Sequence, residues 1–280
     1  MVDTSKRVWF LTGCSTGFGR EMAKQLLAAG YPTVVTARKP DDLAEFAGRD
    51  GALVLKLDVT DQAQIDAAVK AAEAHFGRFG VLFNNAGIGY FGSVEESEDA
   101  EVRRMFDINV FGLGRMTAAV LPGMRRQRAG TIINIASLAG IKPFPALGYY
   151  NATKFAVVGL SGALKEELAP LGIRVICVEP SGFRTDWAGR SANESPQTIA
   201  DYRATAGLKC EQLRAVSGKQ PGDPVRAVQA IVQAVESPNP PHHLPLGVAA
   251  FEVGVAQLDA VRKEFVAQET VARGADFPKS

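Results

Sequence analysis

The strongest constraint on the fold of this chain is an alternation of two hydrophobic periods. Short runs rich in Val, Ile, Leu and Phe occupy residues 8–12, 33–37, 52–57, 81–83, 131–136 and 174–179, separated by longer stretches of helical spacing. Runs apolar at nearly every position suit strands covered on both faces, as in a parallel sheet. Residues 18–29 set Met22, Leu26 and Ala29 on one helical face and end on Gly30 as C-cap. Residues 61–76 carry Ile65, Ala68, Val69 and Ala72 behind Thr60 as the cap, and residues 98–128 and 149–169 read as longer helices. Strand and helix in alternation predict right-handed βαβ units and an α/β, doubly wound parallel sheet.

The order breaks at residues 183–223, which are polar, hold several Gly, Ser and Pro, and contain few strand-like runs. So long an irregular stretch inside a compact domain is expected to be functional, here a lid over a substrate site. A helix over 225–235, a proline-rich turn at 237–245, a last strand at 244–248 and a terminal helix over 252–272 complete one domain across 1–280.

Composition removes whole classes of function. The 280 residues carry 31 Lys+Arg and 30 Asp+Glu, a formal charge of +1. So balanced a chain has no general attraction for nucleic acid or an anionic membrane. Cys14, Cys177 and Cys210 are far apart and His75, His242 and His243 are scattered, so zinc spacing is lacking and no metal is expected. Cys14 and Cys177 read as small core residues, and His242 and His243 as solvated. No run of about 18 apolar residues occurs. The polar opening at 1–7 lacks the layout of a signal peptide. The expectation is a soluble, cytoplasmic protein with reduced thiols.

Directly after the first run comes Thr12-Gly13-Cys14-Ser15-Thr16-Gly17-Phe18-Gly19, opening a helix. Glycines there permit a tight turn and let backbone approach a pyrophosphate at a helix N-terminus; a purely structural turn is the alternative. The spacing is GxxxGxG rather than GxGxxG. At the end of the second run, where NAD-binding proteins of this type carry an acid, the chain reads Val35-Thr36-Ala37-Arg38-Lys39. A guanidinium grips a 2′-phosphate that a carboxylate would repel, so Arg38 favours NADP(H) over NAD(H). A solvated basic pair is the plainer reading. The missing acid also argues against a methyltransferase.

Tyr150 and Lys154 lie four apart at the start of a predicted helix and share one face. An ammonium beside a phenol favours the phenolate and draws its pKa from near 10 toward the working range. Ser137 follows the run 131–136, and so stands at the carboxyl edge of a central strand, where such sheets bind ligands.

Together these segments resemble the short-chain dehydrogenase/reductase family. Residues 12–19 follow its TGxxxGxG motif, Asn84-Asn85-Ala86-Gly87 its NNAG motif and Tyr150-Asn151-Ala152-Thr153-Lys154 its YxxxK motif. Asn109 falls where the family carries its helix asparagine, and Asp58, before Val59, where it carries the residue facing adenine. The resemblance extends to about residue 186. It implies a single Rossmann-type domain whose dinucleotide is held by Gly13, Ser15, Thr16, Gly17, Phe18, Gly19, Arg38, Asp58, Val59, Asn85, Ala86, Gly87, Pro180 and Thr185, with Tyr150 and Lys154. In the same reading Tyr150 is the general acid or base. Lys154 holds the nicotinamide ribose and lowers the pKa of Tyr150, Ser137 bonds the substrate oxygen, and Asn109 supports a water relay to Lys154. One departure is visible: the family's PGxxxT reads Pro180-Ser181-Gly182-Phe183-Arg184-Thr185, with Ser181 in place of glycine.

The expected activity is NADP(H)-dependent hydride transfer to a carbonyl or from a secondary alcohol. Ile88, Tyr90, Phe91, Leu138, Phe144, Leu147 and Trp187 are the candidate pocket walls, which suit a medium-sized apolar substrate. A non-catalytic dinucleotide sensor or scaffold on the same fold is the alternative. A sugar-nucleotide epimerase would show TGxxGxxG and a larger C-terminal region. No nucleic-acid or membrane partner is expected. The resemblance implies a homo-tetramer or homo-dimer built through the helices after Asn109 and Tyr150.

Overall fold

The computed structural model of the chain describes residues 6–189 and 191–277. Most of the polar opening at 1–7, and Arg190 of the 183–223 stretch, lie outside the described residues. Seven strands form one parallel sheet: β1 Trp9–Leu11, β2 Thr33–Ala37, β3 Ala52–Lys56, β4 Val81–Asn84, β6 Gly130–Ile135, β7 Ile173–Pro180 and β9 His243–Leu246. Their order is β3-β2-β1-β4-β6-β7-β9, the doubly wound arrangement the alternation predicts. The reversal after β1 opens a crevice at the carboxyl ends of β1 and β4. A separate parallel pair joins β5, Gly89–Phe91, to β8, Ala192–Glu194.

Each strand feeds both faces of the sheet. Trp9 and Leu11 of β1 pack with α1, Gly17–Ala28, and α7, Pro224–Glu236, through Met22, Leu26 and Ile231. Phe10, between them, points to the other layer, where α2, Gln62–Phe76, α4, Leu113–Gln127, and α5, Gly148–Leu168, contribute Ile65, Met116 and Leu164. Each such side chain, fully buried, is worth about 1.5–3 kcal/mol, which outweighs the tenths that separate most helix propensities.

Several boundaries differ from the sequence reading. The cap of α2 is Asp61, whose Oδ1 accepts from Gln64 N at 3.1 Å. Thr60 is spent elsewhere, its hydroxyl donating to Asp58 Oδ1 at 2.8 Å. The stretch 98–128 is α3, Asp99–Phe106, then a π-helical turn over Asp107–Gly112, then α4. Within 183–223 lie β8 and α6, Leu208–Ala215. The terminal helix starts early, at Val248, as α8, Val248–Ala267, and is followed by α9, Glu269–Gly274.

The two histidines are not merely solvated. β9 runs beside β7, and His243 Nδ1 lies 2.7 Å from the buried carboxylate of Glu179, while His242 Nδ1 lies 3.0 Å from Val175 O. Leu244 N donates to the other Glu179 oxygen at 3.0 Å, so this buried acid holds the edge strand in place.

Candidate active site

The glycine loop is built by stitching the ends of β1 and β4 together. Thr12 Oγ1 donates to Phe83 O at 3.2 Å and accepts from Asn85 N and Ala86 N at 3.0 and 3.1 Å. Asn85 Nδ2 returns bonds to Thr12 O and Gly13 O, each at 3.0 Å. Gly13 and Gly17 have φ of 69° and 56°, which glycine alone adopts readily. A Cβ on Gly19 would stand 2.4 Å from Gly13 O, so backbone approach, not φ, demands that glycine. Gly19→Ala is expected to cost about 1–3 kcal/mol in urea denaturation through overpacking and to weaken dinucleotide binding measured by fluorescence.

This loop leaves a helix N-terminus open. Thr16, the residue before α1, makes no side-chain capping bond, and the first turn holds no acid. Its N–H groups and the positive end of the helix dipole therefore face the cleft with no capping side chain and no acid in its own first turn. Cys14 is buried beneath, and burial pushes its thiol up to about 12, so it supplies little thiolate.

The cleft has a volume of about 650 Å³ and runs along the carboxyl edge of the sheet. At one end stand Arg38 and Asp58. Arg38 is exposed and makes no hydrogen bond or ion pair among the described residues. One oxygen of Asp58 receives Thr60 N and Oγ1, which fixes the carboxylate while Val59 is buried beside it.

At the other end α5 presents Tyr150 and Lys154 one turn apart, both buried. Ser137, just past β6, lies beside the Tyr150 phenol, donates to Pro180 O at 3.5 Å and accepts from Ala139 N at 3.1 Å. Burial raises the Tyr150 phenol well above its ordinary value, with Ser137 opposing. The lowering by Lys154 anticipated from spacing does not outweigh burial. Its Nζ is 5.6 Å from the Tyr150 ring centroid and donates to Ile135 O at 2.8 Å. Burial lowers Lys154 itself to about 8.

Asn109 lies in the π-helical turn, a geometry common at functional sites. Its Oδ1 accepts from Ile88 N and its Nδ2 donates to Ile88 O, both at 2.9 Å, with Thr153 Oγ1 at 3.3 Å. The side chain thus ties the segment after β4 to α5 and makes no direct bond to Lys154. Gly87 lies against Asn109 Oδ1. Pro180 and Thr185 line the cleft, as do Ser15, Phe18 and Ala86. Ser181 in place of glycine is accommodated without strain, since it has no positive φ, and its N donates to Leu246 O at 3.0 Å.

Of the candidate walls, Ile88, Leu138, Phe144, Leu147 and Trp187 line the cleft. Tyr90 and Phe91 do not: they belong to buried β5, a layer further in. Phe91 supports Trp187 from behind at 5.4 Å, and the Trp187 ring lies 4.9 Å from that of Tyr150. Several contributors escaped the sequence reading. Arg214 donates to Ala188, Gly189 and Ala192 carbonyls and to Glu194, with its guanidinium 5.0 Å from the Phe91 ring centroid. Glu96 accepts from Thr198 N and Ile199 N at 2.7 and 2.8 Å. Ala249 and Val253 bring α8 into the cleft wall.

The family profile described as short chain dehydrogenase matches residues 7–196. The 3-ketodihydrosphingosine reductase of Bacteroides thetaiotaomicron is 36% identical over 242 residues, covering 86% of this chain and 88% of its own length. A short-chain dehydrogenase from Streptomyces avermitilis superposes with a TM-score of 0.91 at 39% identity, over 98% of this chain and 100% of that one. A short-chain dehydrogenase/reductase from Burkholderia phymatum in complex with NAD gives 0.79 at 26% identity, over 100% of both chains. Among similar solved folds, some hold NAD or NADH and others NADP or NADPH.

Proposed function

The chain belongs to the short-chain dehydrogenase family, and on that premise we propose that it is an NADP(H)-dependent oxidoreductase acting on a medium-sized, apolar carbonyl or secondary alcohol. The observation that carries this reading is a buried phenol, Tyr150, beside the Ser137 hydroxyl and the Lys154 ammonium, in a cleft shared with an uncapped helix N-terminus. The donor set suits a dinucleotide. Free N–H groups of α1 and the glycine loop fit a diphosphate, Asp58 an adenine edge, and unpaired Arg38 a 2′-phosphate. When bound, such a cofactor supplies or accepts the hydride.

The chain supplies orientation and the proton. Held protonated by burial, Tyr150 can donate to the oxygen of a carbonyl as negative charge develops there. Ser137, fixed by Ala139 N, adds a preorganised hydroxyl to the same oxygen. Lys154 keeps a positive charge near the phenol and is anchored on Ile135 O, leaving donors for ribose hydroxyls. Asn109 fixes Ile88, a wall residue, and through Thr153 the turn that carries Tyr150. Residues 183–223, tied down by Arg214 and Glu96, serve as the lid. Exposed Phe111 and Phe155, beside and on the helices after Asn109 and Tyr150, favour a homo-dimer or homo-tetramer through those faces. The apolar walls, together with a similar protein named as the reductase of a ketone, favour a ketone over a sugar.

Purified protein with a panel of apolar ketones is expected to consume NADPH; cofactor binding without turnover of any of them would favour the scaffold reading. The ammonium of Lys154 is present below about pH 8 and lost above it. For ketone reduction, kcat/KM is therefore expected to fall on the alkaline side by about tenfold per pH unit, since that ratio reports the free enzyme. A flat profile to pH 9.5, roughly one and a half units past that point, would remove Lys154 as a required charge.

A further inference from the structure

Helix α8 is packed along only half its length. Ala250 and Gly254 are its buried residues, Val253 and Gln257 are half-buried, and from Leu258 to Ala267 every side chain is exposed. A helical segment with no packed face is marginal in water, because helices in proteins draw most of their stability from packing. Its sequence is not that of a solvated arm. Val248, Phe251, Val255, Leu258, Arg262 and Phe265 recur at alternating spacings of three and four, a seven-residue repeat along one stripe. Phe251, Leu258 and Phe265 are 62%, 59% and 77% exposed. A largely apolar stripe about 26 Å long is far more than scattered surface hydrophobics require.

We propose that this stripe is the seat of a second copy of the chain, whose α8 lies antiparallel against it across a two-fold axis. Such an interface is self-complementary, so one stripe supplies both halves. With the axis passing between Val255 and Leu258, Val255 meets Leu258 of the second copy, Val248 meets Phe265, and Phe251 meets Arg262. The one charged member of the stripe thereby lies over an aromatic ring and beside Glu252, an unlike charge. Parallel pairing would instead set Arg262 against itself. A lipid surface fits poorly, because the charged residues of α8 are Glu252, Asp259 and Glu264 against Arg262 and Lys263, a net acidic helix. The stripe does not include Phe111 or Phe155. Since Ala249 and Val253 line the cleft, pairing would also brace its wall.

Sedimentation equilibrium on the full chain tests this. Leu258→Glu should halve the mass of the assembly, or weaken association by about a hundredfold or more, because each copy would bury an unpaired charge. Leu258 is 59% exposed and belongs to no buried cluster among the described residues, so far-UV circular dichroism and thermal unfolding should be unchanged. Glu252→Arg should also weaken association, and Glu252→Arg/Arg262→Glu should restore it. The two positions are too far apart along one helix to rescue each other within a copy. An unchanged mass for Leu258→Glu overturns the proposal, and loss without rescue overturns the antiparallel arrangement. Co-sedimentation of the wild type with phosphatidylcholine/phosphatidylglycerol vesicles, abolished by Leu258→Glu at constant mass, overturns it in favour of lipid.

Discussion

Tyr150→Phe is expected to lower kcat for ketone reduction by about 10²–10⁴-fold, the usual worth of a positioned general acid. The change removes one oxygen and keeps the ring, so packing against Trp187 at 4.9 Å survives. Loss of the phenol oxygen beside Ser137 should cost only about 1 kcal/mol of stability, because no charged group is left unpaired. Dinucleotide binding, followed by fluorescence, should stay within about threefold, a difference under 1 kcal/mol. Ser137 can donate a hydrogen bond but cannot take over as acid, because a serine hydroxyl offers no phenolate-like conjugate base. A variant that retains wild-type turnover would sink the assignment of Tyr150. One that loses binding together with turnover would point to a collapsed site, which unfolding curves would reveal.

What the sequence made legible follows from the range of the interactions involved. The strands of the sheet could be read because each is apolar at nearly every position and each carries its own period. The glycine loop was legible because its geometry is local: Gly13 and Gly19 answer to backbone a few residues away or to the adjoining strand end, and Gly17 to its own positive φ. The cap of α2 was misassigned by one residue because Thr60 and Asp61 are both good caps, and only the competing bond to Asp58 decides between them. The π-helical turn around Asn109 left no trace, since its residues keep helical periodicity. The direction of the Tyr150 shift was hidden for a different reason. Spacing puts a lysine near the phenol, but burial is completed by Trp187, distant in sequence, and burial wins. Contacts such as His243 with Glu179, or Arg214 with the carbonyls of 188, 189 and 192, join segments whose pairing no local pattern encodes. The exposed stripe of α8 shows the converse. Its period is plain in the sequence, yet only the fold shows that its own chain leaves that face uncovered.

Arg38→Asp is the second large effect, and it falls on cofactor choice rather than on chemistry. A charge-assisted contact with a 2′-phosphate is worth roughly 1.5–3 kcal/mol, and an aspartate adds repulsion, so KM for NADPH should rise about a hundredfold. For NADH the same change is expected to leave KM within about threefold or lower it, since a carboxylate at the end of β2 can accept from a ribose 2′-hydroxyl. Arg38 forms no ion pair among the described residues, so no such bond is broken and stability should not move. Its exposure has a further consequence. The contact is screened by salt, and the wild-type preference for NADPH should shrink as ionic strength rises from about 0.05 to 0.5 M, while that of the variant should not. Lys39, equally exposed next door, would retain part of the attraction. Arg38→Asp/Lys39→Ala should therefore exceed the single change, and an equal effect of Arg38→Asp on both cofactors would remove this residue from the phosphate site.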